Sequence, residues 1–234
     1  MTGTLYLVGV GPGDPELLTL KAARILGTVP VISFPNKPRL NSTSFAIAKS
    51  HINPGAELLP ADIPMKADPA PAQAAYDALA AKLDKLLSAG KNIAYLCEGD
   101  PLFYGSAIHL IGCLASGHNI EIVPGITSLS ASAATICRPL ASRSEVFKVL
   151  PATLGDKKLA IELTGADTVA IIKAGRHLPR VRVALERSGL MQSAVIVEHA
   201  STLNEKIIPL SKYQPDAAPY FSTILCHRSA GRWK

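Results

Sequence analysis

The sequence predicts an α/β protein, on three observations. Short apolar runs of strand length alternate along the whole chain with segments whose apolar residues recur at helical spacing. Loops rich in glycine, proline, serine and threonine follow the strand-like runs, which is where α/β proteins place ligands. Nearly half of the residues are hydrophobic and few are aromatic, a balance that suits a soluble α/β core. At 234 residues the chain has room for one large domain or two small ones.

In chain order, residues 4–8 read as a buried strand that runs into Gly9-Val10-Gly11-Pro12-Gly13-Asp14-Pro15. A helix over 16–26 follows on the spacing of Leu17, Leu18, Leu20, Ala23, Ile25 and Leu26. Residues 29–33 form a second strand, 41–50 a short helix, 56–65 an extended segment and 67–74 an Ala/Pro-rich surface loop. An amphipathic helix spans 76–88, with Leu79, Leu83, Leu86 and Leu87 on one side and Gly90 beyond its end. The apolar run 93–97 is a buried strand broken by Gly99-Asp100-Pro101, after which a helix runs from about Tyr104 to Ala115. A strand at 120–123 leads through Pro124-Gly125-Ile126-Thr127-Ser128 to a small-residue helix over 129–137, ended by Arg138-Pro139-Leu140. The second half repeats the rhythm, with strands at 146–150, 168–172, 194–198 and 221–226 and a helix at 178–186 carrying Arg180, Arg182 and Arg187 outside. Residues 159–164 fit a short helix or a strand. A soft boundary near residues 117–119 gives domains of 1–118 and 119–234 that share an interface, since no linker composition marks it.

The loops carry the chemistry. Gly9–Asp14 looks like a dinucleotide loop, but the third glycine of GxGxxG is replaced by Asp14, whose charge repels pyrophosphate. Pro12 and Pro15 remove two N–H donors that phosphate needs, and no Gly-Lys-Ser/Thr is present. The loop is therefore built for close approach and poorly built for phosphate. At Gly99-Asp100-Pro101, glycine permits a positive φ or a close ligand, and Pro101 pushes Asp100 extended; a plain tight turn reads equally well. Thr127 and Ser128 either cap the following helix or present hydroxyl and N–H groups to a ligand.

Cys97, Cys113, Cys137 and Cys226 have no CxxC spacing and sit in apolar stretches, so they read as small core residues. The six histidines are scattered, and no protein-bound metal is expected. The net charge of +6 is spread out apart from a denser stretch at 173–187, without the aromatic stacking groups of a nucleic-acid surface. It suits a small anionic substrate. No apolar run approaches the ~20 residues of a membrane span, and the chain enters a strand at once, so a cytoplasmic enzyme is expected, with no membrane or nucleic-acid partner.

Four loops, at Gly9–Asp14, Gly99–Pro101, Pro124–Ser128 and Glu198–Thr202, stand in an order and spacing that resemble the tetrapyrrole (corrin/porphyrin) methyltransferase family, over essentially the whole chain. Val8-Gly9-Val10-Gly11-Pro12-Gly13-Asp14-Pro15-Glu16-Leu17-Leu18-Thr19 is similar to the family signature, as is Gly99-Asp100-Pro101 with Tyr104-Gly105. Cys97-Glu98-Gly99-Asp100-Pro101-Leu102-Phe103-Tyr104-Gly105-Ser106 resembles the members that methylate C20 of precorrin-2. So do Pro64-Met65, Leu150-Pro151-Ala152-Thr153-Leu154, Ile172-Lys173-Ala174-Gly175-Arg176 and Pro219-Tyr220-Phe221-Ser222.

The resemblance implies a class III methyltransferase: two α/β domains with a ligand cleft between them, in a homodimer. It implies S-adenosylmethionine as cofactor, held by main chain and released as S-adenosylhomocysteine. The implied contacts are Pro12, Gly99, Asp100, Pro101, Phe103, Thr127, Ser128, Lys173 and Ala200, with Lys173 and Ala200 standing where other members often carry Met and Gly. A cofactor with a sulfonium and no phosphate agrees with the loop chemistry. The implied reaction is attack of the electron-rich C20 carbon of precorrin-2 on the sulfonium methyl, then loss of the C20 proton, giving precorrin-3A in cobalamin biosynthesis. Tyr104 and Glu98 are the catalytic candidates, near by sequence, with Tyr104 reading also as a substrate wall or core ring, and no proton acceptor is assigned. Arg138, Arg143 and Arg176, together with Lys173, are candidates for the substrate's carboxylates, which suit guanidinium forks. The alternatives are methylation at another corrin carbon or of uroporphyrinogen III, and a non-catalytic nucleotide-binding module. The sequence leaves open whether the substrate is metal-free or carries cobalt.

Overall fold

The computed structural model describes residues 2–36, 42–64, 68 and 70–229. Asn41 and Met65, at the edges of an expected helix and an expected extended segment, lie outside them, as does part of the expected 67–74 loop. The chain divides into two units, Met1–Thr127 and Ser128–Lys234. The division falls later than residue 118 because the strand after it pairs with the first strand of the chain.

The first unit runs β1 (Thr4–Gly9), α1 (Leu20–Leu26), β2 (Val31–Asn36), α2 (Thr43–Ala48), β3 (Glu57–Asp62), α3 (Ala70–Ser88), β4 (Ile93–Cys97), α4 (Ile108–Leu114) and β5 (Asn119–Val123). Its sheet has the order β3-β2-β4-β1-β5 and every pair is parallel. A parallel sheet needs cover on both faces. Side chains alternate along each strand, so Leu5, Leu7, Ile93 and Tyr95 pack with α3 and α4. Val8, Ile32, Ala94 and Leu96 pack with α1 and α2.

Three expected elements are redrawn here. The helix expected over 16–26 is two pieces. Asp14 Oδ1 accepts from Glu16 N at 2.8 Å and caps a single 3-10 turn, Pro15–Leu17. Leu18 is extended, and Thr19 Oγ1 then accepts from Ala22 N at 3.1 Å to start α1. Two capping side chains in succession compete with a continuous helix. The helix expected from Tyr104 starts only at Ile108, because Tyr104 sits at φ 55° and the loop doubles back on itself. A Cβ on Gly105 would lie 2.7 Å from Pro101 O. The Ala/Pro loop at 67–74 gives way to α3 from Ala70, since Pro71 is tolerated in a first turn and alanine favours helix.

The second unit runs α5 (Ser128–Thr135), β6 (Phe147–Pro151), α6 (Asp156–Leu163), β7 (Thr168–Ile172), α7 (Leu178–Arg187), β8 (Val195–Glu198), β9 (Lys206–Pro209) and β10 (Ser222–His227). The sheet order is β6-β7-β10-β8-β9, with β6 and β7 parallel and the other pairs antiparallel. Residues 159–164 resolve as the end of α6. The edge strand β9 was not expected; it is short, largely exposed and closed by a proline. Leu159, Leu163, Val169, Ile171, Val181, Leu185, Ile196 and Ile224 form the core.

Two side-chain expectations are corrected. Arg180 and Arg182 are not outside. Arg180 donates to the carbonyls of Ala152 and Leu154 and pairs with Asp156, and Arg182 donates to Tyr213 O. Of the cysteines, Cys97 and Cys226 are core residues, but Cys113 and Cys137 are exposed. Cys113 stands on the outer face of α4, where its thiol donates to Asp77 Oδ1 at 3.7 Å. Burial pushes the Cys226 thiol up to about 12. It raises Cys97 further still, with the charges of Glu98 and Asp100 adding to it. The thiolate is the reactive form. Exposure should let a maleimide label Cys113 and Cys137 in the native protein, more slowly at Cys113, whose thiol is raised by local desolvation and by Asp77, and reach Cys97 and Cys226 only on unfolding, as read by peptide mass spectrometry. Native labelling of Cys97 or Cys226 would contradict the packing.

Candidate functional site

In the first unit, β1, β4 and β5 end side by side, with Gly9 opposite Cys97 and Val8 opposite Val123. The three loops that leave them are stitched together by main chain. Val10 N donates to Cys97 O at 2.9 Å, Gly99 N to Gly11 O at 2.8 Å and Gly11 N to Gly99 O at 3.3 Å. Gly9, Gly99 and Gly125 touch through their backbones. A Cβ on Gly9 would lie 2.6 Å from Gly125 N and 2.7 Å from Gly99 O, and one on Gly125 would collide with Gly99 O. Gly99 is at φ 67°, a conformation that costs a side-chain-bearing residue on the order of 1 kcal/mol.

Asp100 holds this contact. Its Oδ2 accepts from Gly125 N at 3.0 Å and its Oδ1 from Leu102 N at 2.9 Å. Both carboxylate oxygens thus brace loops. The sequence marks the residue but not this role, because Gly125 is remote along the chain. Pro12, Gly99, Asp100, Pro101, Phe103 and Thr127 all lie in this loop cluster. Pro101 is buried, and Phe103 meets Tyr104 edge-on with ring centroids 5.1 Å apart. Tyr104 is 46% exposed. Glu98 is half-buried, and its charge adds to burial in raising Tyr95 and Tyr76. Those two phenols, which sequence reasoning missed, lie 3.4 Å apart, and Tyr76 also bonds Ser106 in the loop. Tyr76 and Tyr95 fall inside the helix expected over 76–88 and the strand expected over 93–97, and nothing in the local spacing pairs them.

In the second unit, β6, β7 and β8 end where β10 begins, with Pro151 opposite Ile172, Thr223 opposite Ile172 and Ser222 opposite Glu198. Lys173, Arg176, Ala200 and Phe221 therefore share one edge. Ser128 joins them through Thr223 Oγ1, which donates to its hydroxyl at 3.5 Å. Lys173, His199 and Ser201 have φ of 58°, 49° and 62°. Strain of this kind concentrates at functional sites. The Ala200 methyl is buried against Ala131 and Val197, so Ala200 offers a ligand only its main chain.

The structure separates the expected substrate arginines. Arg176 is exposed at the edge just described. Arg138 lies by the opposite edge, where its charge helps burial to lower His227, the partner of Thr168 at the start of β7. Arg143 belongs to a turn closed by Ser142 and Glu145 immediately before β6. Arg138 and Arg143 do not join Lys173 and Arg176 as one cationic group, because register, not sequence distance, sets which loops meet.

Among the described residues, no group of three or more His, Cys, Asp or Glu side chains is placed to hold a metal. No helix among them is long and apolar enough to cross a membrane. The first-unit rim spends the N–H groups of Val10, Gly11, Gly99, Leu102 and Gly125 on its own loops and lacks donors at Pro12 and Pro15. It can cradle a ligand by close backbone approach, without the N–H array that phosphate requires. Replacing Gly125 by alanine should lower the urea midpoint by the equivalent of about 1–3 kcal/mol, because backbone on both sides must move. An unchanged midpoint would contradict the close contact.

The family model described as Tetrapyrrole (Corrin/Porphyrin) Methylases matches residues 4–214. Over 231 residues the chain is 41% identical to cobalamin biosynthesis protein CobIJ of Mycobacterium bovis, covering 95% of this chain and 46% of that one. The chain thus spans about half the length of that relative. It is 37% identical to precorrin-2 C(20)-methyltransferase of a Sinorhizobium species over 95% of this chain and 94% of that one. A solved uroporphyrin-III C-methyl transferase from Thermus thermophilus, complexed with S-adenyl homocysteine, superposes with a TM-score of 0.70 at 26% identity, covering 98% and 99% of the two chains. With the two α/β units and the glycine-packed loops of the first, these matches establish that the chain belongs to the tetrapyrrole (corrin/porphyrin) methylase family.

Proposed function

We propose that this protein is an S-adenosylmethionine-dependent C-methyltransferase that methylates C20 of precorrin-2, or of its cobalt complex, in cobalamin biosynthesis. The observation that carries the reading is the rim of the first unit, where three glycines and Asp100 lock main-chain loops into a cradle without phosphate donors. Such a rim fits a sulfonium nucleoside: it admits close approach, sets no anion trap, and keeps Glu98 and Asp100 near a cationic ligand. The similarity to the Sinorhizobium enzyme supports the choice of carbon, and the similarity to the Thermus enzyme supports the cofactor.

In this reading Pro12, Gly99, Pro101, Phe103, Thr127, Ser128, Lys173 and Ala200 contact the cofactor, and Asp100 braces the loops that do so. S-adenosylmethionine, when bound, supplies an electrophilic methyl group. The chain's own contribution is positioning: a rigid main-chain rim fixes the donor's orientation, and the apolar surfaces of Pro101 and Phe103 keep water out. Phe103 and Tyr104 offer ring faces to a flat substrate, and Lys173 and Arg176 offer cations to its carboxylates. The active protein is proposed to be a homodimer, which sedimentation would test.

Calorimetry should detect S-adenosylhomocysteine binding. Incubation with donor carrying a ¹³C-methyl should place the label at C20 of precorrin-2 by NMR, and turnover on the metal-free and cobalt substrates should differ. Label at another carbon would assign a sister activity, and absence of nucleoside binding would favour a non-catalytic module. Asp100→Asn presents an amide N–H toward one backbone donor, and should weaken S-adenosylhomocysteine binding by roughly tenfold. Equal affinity in the variant would argue against the brace. Raising salt from about 0.05 to 0.5 M should weaken tetrapyrrole binding more than S-adenosylhomocysteine binding, because the screening length shrinks below the reach of exposed cations. Equal salt dependence would remove Lys173 and Arg176 from the substrate contacts.

A further inference from the structure

The turn after β8 holds strain that something must offset. His199 and Ser201 both have positive φ, on either side of Ala200. Within the turn, Thr202 N and Thr202 Oγ1 donate to His199 O at 3.1 and 2.8 Å, and Glu205 N donates to Thr202 O at 3.1 Å. One side chain joins this turn to a different element. Glu205 Oε2 accepts from Ser201 N at 2.6 Å and from Thr135 Oγ1, on α5, at 2.9 Å. The Ala200 methyl is packed against Ala131 of the same helix. Among the described residues, no hydrogen bond is made by the Ala200 N–H or C=O.

We infer that Glu205 is a positioning residue for cofactor binding: its carboxylate clasps Ser201 to α5 and so holds the Ala200 main chain ready for the ligand. The inference rests on the proposed cofactor reading and adds to it a residue outside every motif. A carboxyl oxygen accepting two bonds from different elements anchors such a turn from outside its own backbone. The methyl of Ala200 closes the other side, and among the described hydrogen bonds of the turn the Ala200 N–H and C=O take no part. Glu205 itself touches no ligand. Its effect passes through the backbone of Ser201.

The test measures S-adenosylhomocysteine affinity by calorimetry and steady-state kinetics for the wild type, Glu205→Ala, Glu205→Gln and Thr135→Val. Glu205→Ala should bind roughly tenfold more weakly, having lost a charged acceptor of two bonds. Glu205→Gln keeps one acceptor and should recover about a third of the lost affinity on a logarithmic scale. Thr135→Val, of the same shape, should weaken binding in the same direction. The KM for S-adenosylmethionine should rise in each variant while the KM for the tetrapyrrole stays put, a split that a general loss of stability would not produce. Glu57→Gln, at an exposed ion pair with Lys91 in the first unit, should behave as the wild type. If Glu205→Ala does not fold, Glu205→Gln and Thr135→Val decide the matter by the same criterion. Folded variants with wild-type affinity would overturn the clasp and leave the cofactor reading intact. A wild type that binds no S-adenosylhomocysteine would overturn the cofactor reading and the clasp with it.

Discussion

Three backbones meet where β1, β4 and β5 end, and the organisation of the first unit depends on that contact. Glycine at 9 and 125 is a steric requirement: each lacks the room for a Cβ against its neighbour's main chain. At 99 the reason is conformational, a φ of 67°. Such closeness would leave peptide groups crowded and unpaired, and the Gly11–Gly99 bridge with the Asp100 carboxylate supplies their partners. A buried peptide group without a partner is costly, so the same residues that permit the contact are tied to the ones that satisfy it.

The second unit meets a similar demand by other means. Its strands do not all run one way, so the edge that carries Lys173 and Ala200 also receives the start of β10. Its turns hold Lys173, His199 and Ser201 at positive φ, where the paired loops of the first unit have Gly11 and Gly99, and a carboxylate, Glu205, takes the part that Asp100 plays in the first. Deeper in, Glu198 is buried and accepts from Tyr213, a phenol pushed up to about 12 by burial and by that bond, with Arg182 5.7 Å from its ring centre. A polar group buried there needs such a partner, since one left without a hydrogen bond is costly.

The positive charge has a related explanation. Four basic side chains of the second unit, Lys148, Arg180, Arg182 and Arg228, are turned onto main-chain carbonyls. Arg180 holds Ala152 and Leu154, Lys148 holds Glu162 and Thr164, and Arg228 holds Leu163 and Ala166. Carbonyls at helix ends and loops lack intrahelical partners, and cations satisfy them well. The basic stretch at 173–187 is therefore partly internal wiring; Lys173, Arg176 and Arg187 are exposed, the first two beside the loops.

The sequence by itself determined the alternation of strands and helices, the loops that matter and their unsuitability for phosphate, because each follows from local spacing or from the chemistry of single residues. Strands at 93–97 and 168–172 were legible to the residue, since fully buried strands are continuous apolar runs. Only the tertiary structure decided the rest. It started α4 after Tyr104, turned Cys113 outward, paired β5 with β1, and sent Arg138 and Arg143 to a different edge from Arg176. It also gave Asp100 and Glu205 their partners, Gly125 and Thr135, which are distant in the chain. The physical reason is that hydrogen-bond satisfaction and steric exclusion are settled between neighbours in space, and strand register chooses those neighbours.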